Sequence, residues 1–180
     1  MMRWIFLLII VGALLGGGYW WLTGTPPSAE VKPPQGEEAP IVQPIPNAAG
    51  QATYTDSTYG FSLTYPSLYK IGKVPNETGD VFILQDERGV GMQLMVSEFD
   101  EPVEQLTAAR VKQDLPDMPV TNPREVTLPS GFKALAFESS GGGFANSIEV
   151  WFVARGHLYQ ASANKAQIEF LQQVMGTFAL

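Results

Sequence analysis

The sequence contains no cysteine and only one histidine, and these shortages exclude several kinds of chemistry. Without a thiol, the chain has no disulfide, cysteine nucleophile, thiolate zinc site, iron–sulfur cluster or acylated lipoprotein cysteine. Basic residues are also few, because 11 lysines and arginines stand against 18 acidic residues, for a net charge of −7. Since phosphate binding needs clustered cations, we expect no nucleic-acid partner.

Aromatic residues are missing from residues 24–52, a segment that holds seven of the chain's 14 prolines. A segment of this composition buries too little apolar surface to offset the entropy of ordering it. The segment therefore predicts a disordered, Pro-rich linker, extended by its prolines. A ligand for an SH3-type groove is the alternative, but the prolines at 40, 44 and 46 lack a clean P-x-x-P spacing.

Charge is missing from Trp4 to Leu22, a run of 19 residues. A helix of about 20 apolar residues spans the hydrocarbon core of a bilayer. Arg3 precedes the run, and Tyr19, Trp20 and Trp21 lie at its far end, where aromatic rings favour the headgroup layer. Residues 1–23 therefore predict a single-pass transmembrane anchor, with a cytoplasmic N-terminus and the rest of the chain extracytoplasmic, at the cell membrane.

A cleaved signal peptide is the alternative for this N-terminal run. The apolar core from Trp4 to Leu15 has the usual length of a signal peptide. However, Gly16-Gly-Gly-Tyr-Trp-Trp21 follows it without an A-x-A-like cleavage site. An uncleaved anchor is therefore the preferred interpretation, and cleavage stays open.

Residues 53–180 have the length and apolar content of one globular domain. Alternating or continuous apolar runs predict a series of short strands, with tight turns at Gly89, Pro129-Ser-Gly131 and Arg155-Gly156. The predicted strands cover 59–65, 69–74, 81–85, 90–99, 126–128, 133–138, 147–153 and 157–162. Strands joined by hairpins predict a mostly antiparallel sheet and an α+β fold.

Two helices are predicted beside these strands. Asp100-Glu101-Pro102 is typical of a helix start, and apolar residues at helical spacing follow until Leu115-Pro116. The second helix has Ser162 or Asn164 as its cap, and Ile168, Leu171 and Met175 lie on one face.

The lone histidine, His157, is weak evidence for catalysis. A catalytic triad needs a nucleophile and an orienting carboxylate with the imidazole, and no G-x-S-x-G elbow occurs. His157 follows a predicted tight turn, so a structural role at the edge of a strand is favoured. We predict no catalytic residue and no cofactor.

Acidic residues cluster in two places, at Asp86-Glu87 and at Glu98, Asp100, Glu101 and Glu104. A hard cation such as Ca²⁺ takes six to eight oxygen ligands, and no D-x-D-x-D-G loop is present. Solvation of a turn and a helix start explains these residues more simply. We therefore predict no metal site, and calcium binding at these clusters stays open.

Two exposed features are candidates for contact with a partner. The loop Gly141-Gly-Gly-Phe144 lies between two predicted strands and lacks the lysine of a phosphate-binding loop, so it predicts a flexible tip carrying Phe144. The turn from Arg155 to His157 is the other. These three residues, Phe144, Arg155 and His157, are the predicted partner-binding residues.

The domain resembles the PsbP-like family. The segment Tyr59-Gly-Phe-Ser-Leu-Thr-Tyr-Pro66 is similar to the "GFxxxYP" opening of that family. The C-terminal part is similar as well: a strand at 148–153, the Arg155-Gly156 turn, a strand at 158–163 and a helix ending in Met175-Gly-Thr-Phe178. The resemblance covers residues 54–180, and bacterial members are commonly secreted or membrane-tethered.

The resemblance implies the PsbP/Mog-type fold, an antiparallel sheet flanked by helices in an α-β-α sandwich. It implies no enzymatic activity, since plant PsbP is an extrinsic photosystem II subunit and the Mog-type relative binds the GTPase Ran. We carry over no photosystem-binding or Ran-binding residue to this sequence. Fold alone does not decide function.

Three hypotheses follow for function. The first is a non-catalytic, membrane-tethered extracytoplasmic domain that binds an envelope protein or a small ligand. The second is a hydrolase of envelope polymers that uses a carboxylate pair. The third is an accessory subunit of a membrane complex, in which Gly12-x-x-x-Gly16 allows close packing of the transmembrane helix.

Overall fold

A computed structural model describes residues 50–103, 105–140 and 145–180 of the chain. The described strands are β1 (Gln51–Thr55), β2 (Ser62–Pro66), β3 (Lys70–Asn76), β4 (Gly79–Gln85), β5 (Gly91–Glu98), β6 (Thr121–Thr127), β7 (Lys133–Ser139), β8 (Ser147–Ala154) and β9 (His157–Asn164). The helices are α1 (Ala108–Asp114) and α2 (Ile168–Met175), and a 3-10 turn, Lys165–Gln167, precedes α2.

Seven of these strands form one antiparallel sheet in the order β3-β4-β5-β9-β8-β7-β6, and β1 pairs with β2 as a separate hairpin. Neighbouring strands of the sheet are antiparallel at every described pairing. The predicted α+β class, a mostly antiparallel sheet with two helices, is therefore confirmed for the described residues.

One face of the sheet carries the larger apolar core. Side chains alternate along a strand, so Leu94, Phe152 and Tyr159 share this face. The helix α2 buries Leu171 and Val174 against it, and the β1–β2 hairpin adds Leu63 and other apolar side chains. We call this the α2 face.

The opposite face, which we call the α1 face, carries a smaller apolar cluster. Leu135, Phe137, Trp151 and Leu158 of the sheet are buried there together with Val111 of α1. Because α1 and α2 lie on opposite faces, the helices flank the sheet, as the sequence resemblance implied.

The C-terminus of the chain closes the β1–β2 hairpin. The backbone groups of Ser62 and Ala179 exchange two hydrogen bonds of 2.8 and 3.0 Å. The hydroxyl of Thr177 accepts a hydrogen bond of 2.8 Å from the backbone N–H of Thr64, and the Phe178 ring stacks on Phe61 at 5.6 Å. Residues 113 positions apart in the sequence thus complete one core.

Several predicted boundaries differ from the structure. The strand predicted at 126–128 is β6, which begins at Thr121. The first helix begins at Ala108 and not near Pro102, because Thr107 supplies the N-cap by accepting from the backbone N–H of Arg110. The strand predicted at 59–65 is a turn until Phe61. The strand β1 begins at Gln51, where the predicted linker ends, and Ala52 is buried against the core.

The predicted transmembrane segment 1–23 and most of the predicted linker lie outside the described residues. Within the part of the chain that is described, the helices are too short to span a bilayer.

Candidate binding surface around the Arg155 turn

The turn between β8 and β9 is a two-residue connection made by Arg155 and Gly156. Both residues have positive φ, 49° and 77°, as the favoured two-residue hairpin turns require. Positive φ is uncommon for a residue with a side chain, and arginine is not among those usually chosen for it. The predicted tight turn is thus confirmed, and its first residue adopts an uncommon conformation.

The Arg155 side chain is exposed, and its guanidinium lies beside the turn that follows β1. A Cβ atom placed on Gly60 would lie 3.7 Å from Nη1 of Arg155. The ion pairs of the described residues use Lys73, Arg88, Arg110 and Lys165 as cations, and Arg155 takes no part in them. Arg155 therefore presents a cation that no described carboxylate neutralises.

His157 lies two residues further and is already engaged with the fold. Its Nδ1 atom is 3.0 Å from the backbone oxygen of Arg155. Its ring meets the Tyr59 ring edge to face, with centroids 5.2 Å apart. These contacts agree with a structural role at the edge of β9, and they join the turn to the Tyr59 loop.

Phe144, the third predicted binding residue, lies outside the described residues. Its described neighbour Ala145 precedes β8, whereas Arg155 follows it. An eight-residue strand is about 25 Å long, so Ala145 and Arg155 lie at opposite ends of β8. The structure therefore brings Arg155 and His157 together.

A cleft of about 420 Å³ opens beside the Arg155 turn. Its apolar wall comes from Phe99, Val103, Phe132 and Val153. Segments distant in sequence meet here: the stretch after β5, the β6–β7 hairpin and the end of β8. The cleft is shallow and open to solvent, so it is a surface groove and not an enclosed pocket. Sequence reasoning missed these wall residues, because a lone Phe beside a turn carries no signal of its own.

Three charged residues line the cleft: Glu101, Lys133 and Arg155. Glu101 accepts two hydrogen bonds of 2.7 Å from Arg110, which also bonds Asp114. The Nζ of Lys133 donates to the hydroxyl of Thr127 at 2.8 Å. The carboxylate of the cleft is therefore neutralised by its own arginine, whereas Lys133 and Arg155 form no ion pair with a carboxylate of the described residues.

A second cluster lies on the α2 face beside Tyr59, centred on the buried carboxylate of Asp56. Its Oδ1 accepts from the backbone N–H groups of Thr58 and Tyr59, at 2.9 and 3.0 Å. Its Oδ2 accepts from the Tyr54 hydroxyl and from Lys73, both at 3.1 Å. Four donors thus fill the lone-pair positions of one carboxylate.

Lys73 joins Asp56 to a second carboxylate, Asp80. The distance from Nζ to Oδ2 of Asp80 is 3.0 Å, and the Tyr59 hydroxyl donates to the same oxygen at 2.9 Å. Burial would raise the pKa of Asp56, but the Tyr59 N–H and the Lys73 ammonium outweigh it and hold that pKa below its ordinary value. Burial would lower the pKa of Lys73, but hydrogen bonds to Asp80 and Asp56 raise it overall.

These directions fix the charge states of the cluster. Asp56 stays ionised and Lys73 stays protonated near neutral pH, and burial together with Asp80 raises the pKa of Tyr59 further above neutrality. A glycosidase needs one carboxylic acid to give a proton and one carboxylate to act as base or nucleophile. Asp56 is ionised, so it has no proton to donate, and its lone pairs are already occupied by four donors. Asp56 and Asp80 are therefore suited to stabilising the turn that follows β1.

Two of the acidic residues considered as ligands for a hard cation, Asp86 and Glu101, already accept hydrogen bonds from arginine side chains. Asp86 accepts from the Arg88 side chain at 2.8 Å and from backbone N–H groups of its own turn. Glu101 is bound to Arg110, as described above. In the described ranges, no group of three or more potential ligands converges.

Comparison with models of protein families and with curated proteins finds no match. Among solved structures, the chain is similar to cyanobacterial PsbP (CyanoP) from Synechocystis sp. PCC 6803. That match has a TM-score of 0.46 and 16% identity, and covers 73% of this chain and 93% of the other. A protein of Bacteroides thetaiotaomicron VPI-5482 matches with a TM-score of 0.39 and 11% identity, over 70% of this chain and 47% of the other.

The first of these structures is a PsbP protein, the family that the sequence resembles. With TM-scores below 0.5, neither similarity carries an argument about function, and membership of the PsbP-like family stays a prediction.

Proposed function

We propose that the chain is a non-catalytic, PsbP-like binding domain, held outside the cytoplasm by a membrane anchor, and that it contacts an envelope protein or a small ligand at the Arg155 turn. The observation that carries the proposal is the exposed residue Arg155, which lines an apolar cleft and whose guanidinium lacks a carboxylate partner among the described residues. Arginines of this kind are enriched in the energetically important parts of interfaces.

The charge pattern supports binding over catalysis. The close carboxylates on the α2 face, Asp56 and Asp80, are tied to Lys73, and the cleft contains neither of them. The carboxylate-pair hydrolase therefore lacks a suitable acid at these positions. The cleft instead offers apolar walls and two cations, which fits a ligand or partner that presents an apolar group beside an anion.

The sequence supports the location that we propose. Residues 1–23 supply the anchor, residues 24–52 the linker and residues 53–180 the binding domain. A linker of about 30 residues would let the domain search the volume near the membrane, which raises the effective concentration of a partner in the same membrane. The accessory-subunit hypothesis rests on Gly12 and Gly16, which lie outside the described residues.

Site-specific photocrosslinking in the native membrane tests the binding surface. A photoreactive phenylalanine analogue at Phe132 places the probe on the wall of the cleft, and the same probe at Leu68, 80% exposed elsewhere, is the control. We expect a defined adduct from position 132 only. Arg155→Ala should weaken that adduct by about fivefold or more, as truncation of an interface arginine does. Equal adducts from both positions, or no effect of Arg155→Ala, would overturn the proposed surface.

Single-cysteine labelling tests the location separately. Since the chain has no cysteine, Lys112→Cys on the exposed side of α1 provides one thiol. A membrane-impermeant maleimide applied from outside should label it before lysis. Labelling only after the membrane is opened would place the domain in the cytoplasm and contradict the proposed location.

A further inference from the structure

The described residues cover only half of the α1 face of the sheet. The buried apolar residues of this face lie on β7, β8 and β9, beneath the segment that contains α1. On β3, β4 and β5, the same face presents Val74, Val81, Ile83 and Met95. Val74 is 49% exposed, and the other three are half-buried. We call these four residues the open patch.

The strand register makes the open patch continuous. Val74 pairs with Val81, and Val81 pairs with Met95 on the next strand. Ile83 lies one step along β4 and pairs with Gln93. Cross-strand neighbours on one face lie about 5 Å apart, so these side chains contact one another in a single apolar surface.

Amide side chains border the open patch on the side nearest α1. Gln160 on β9 pairs with Met95, and Gln93 on β5 pairs with Ile83. On the next strand in each case, Trp151 pairs with Gln160 and Ser162 pairs with Gln93, and both Trp151 and Ser162 are buried. The boundary between the covered and uncovered halves is therefore polar without being charged.

Charge is nearly absent from the half of the α1 face that carries the open patch. On the α1 face of β3, β4, β5 and β9, the alternation leaves Lys70 as the single charged side chain. The other charged residues of these strands, Lys73, Asp80 and Glu98, fall on the α2 face. In a chain of net charge −7, two copies that met at the open patch would therefore bring no like-charged carboxylates into contact there.

We infer that the open patch is a self-association surface, and that its occupant is the open patch of a second copy of this chain. A two-fold contact brings each residue against the same surface of the partner, so the surface must complement itself. Apolar side chains satisfy this condition, and glutamine amides also do so because each carries both donors and acceptors. A surface with charges of one sign would not.

The size of the open patch sets the strength of the contact. Three to four strands about 4.8 Å apart, over about five residues of about 3.3 Å each, give roughly 240–320 Å² per copy. A stable complex buries about 800 Å² per partner, so this dimer should be weak, micromolar or weaker, in solution. Attachment of both copies to one membrane would favour it by confining them to a thin layer.

Sedimentation equilibrium of the full-length chain in density-matched detergent tests the inference, over about 5–500 µM protein. We expect a concentration-dependent monomer–dimer equilibrium. Val81→Asp should weaken it by about tenfold or more, because the dimer would bury unpaired carboxylates. Leu68→Asp introduces the same charge at an exposed apolar residue outside the patch and should leave the equilibrium unchanged.

Ile83→Gln provides a milder second variant if Val81→Asp fails to fold, as judged by circular dichroism. It should also weaken the dimer while keeping a cooperative unfolding transition. A wild-type chain that stays monomeric over the whole range would overturn the inference and leave the patch to a different protein. Self-association that neither patch variant changes would also overturn it, and would assign dimerisation to other parts of the chain.

Discussion

Glu149 is a carboxyl group buried on β8, 4% exposed, on the α1 face of the sheet. The indole Nε1 of Trp151 donates to it at 3.0 Å, and the Ser147 hydroxyl, which donates to the backbone oxygen of Ser139, lies near it. Burial raises the pKa of Glu149 to about 7, against the lowering effect of Trp151 and Ser147. The folded protein therefore holds this proton more tightly than the unfolded chain does.

The contribution of Glu149 to stability is fully present below its ordinary pKa of 4.5 and is lost as the pH rises through about 7. The loss amounts to about 3 kcal/mol in the free energy of unfolding. Glu149→Gln keeps the shape and an acceptor for Trp151, so we expect it to match the wild type at pH 5 and to exceed its stability at pH 8.

Urea unfolding at the two pH values measures this difference. Glu125→Gln, at an exposed carboxylate on β6, is the matched control and should leave the difference between pH 5 and pH 8 unchanged. A wild-type stability that stays constant from pH 5 to pH 8 would contradict the prediction.

Asp56 presents the opposite case, a buried carboxylate that is held charged. Asp56→Asn removes the charge opposite Lys73 and places an N–H₂ group where acceptors are needed. We expect a loss of about 3 kcal/mol in the free energy of unfolding, as for other broken buried ion pairs. Asp117→Asn, at an exposed aspartate, should change it by less than about 0.5 kcal/mol. Equal effects of the two substitutions in urea unfolding would show that the Asp56 cluster does not stabilise the fold.

At the scale of elements, α1 shows what sequence patterns can and cannot predict. Val103, Leu106 and Val111 have helical spacing and are packed in one cluster, yet only Val111 lies in a helix. The packing of these apolar residues in one cluster was therefore predictable from their spacing, whereas the residue at which the helix begins was not. Glu101 reaches Arg110 from outside the helix, and Thr107 is the residue that caps it.

The cap gives a prediction of its own. Thr107→Ala removes the acceptor for the Arg110 N–H and should lower the free energy of unfolding by about 1 kcal/mol. Thr107→Ser keeps the acceptor and should restore most of the loss. Differential scanning calorimetry of both variants measures these changes in stability. An alanine variant as stable as the wild type would show that the Thr107 cap does not stabilise the fold.

Strands and their turns were more predictable than this helix. β5, β8 and β9 are long apolar runs in the centre of the sheet, and their predicted and observed bounds agree within one or two residues. The tight turn at Arg155 was predictable because a glycine follows it. The cleft beside this turn was not predictable, because the order of the strands brings Phe99 and Phe132 together, and a single sequence does not encode that order locally.

At the scale of the whole molecule, the last four residues complete the core. Phe178 is 2% exposed and stacks on Phe61, and Ala179 extends the β1–β2 hairpin. Deletion of Thr177–Leu180 should lower the free energy of unfolding by at least about 3 kcal/mol, the usual cost of losing a buried phenylalanine. Deletion of Leu180 alone should cost much less. Thermal unfolding followed by circular dichroism compares the two, and equal melting temperatures would contradict this account.

The contact between Ser62 and Ala179 also bears on the order of events during synthesis. A ribosome makes the β1–β2 hairpin more than a hundred residues before the segment that covers it. Throughout elongation the apolar side of this hairpin, including Phe61, lacks its final neighbours, and long-range contacts of this kind form slowly. The domain can therefore reach its native state only after residues 177–180 have been made, and the unfinished hairpin is where a chaperone or a protease would act on the nascent protein.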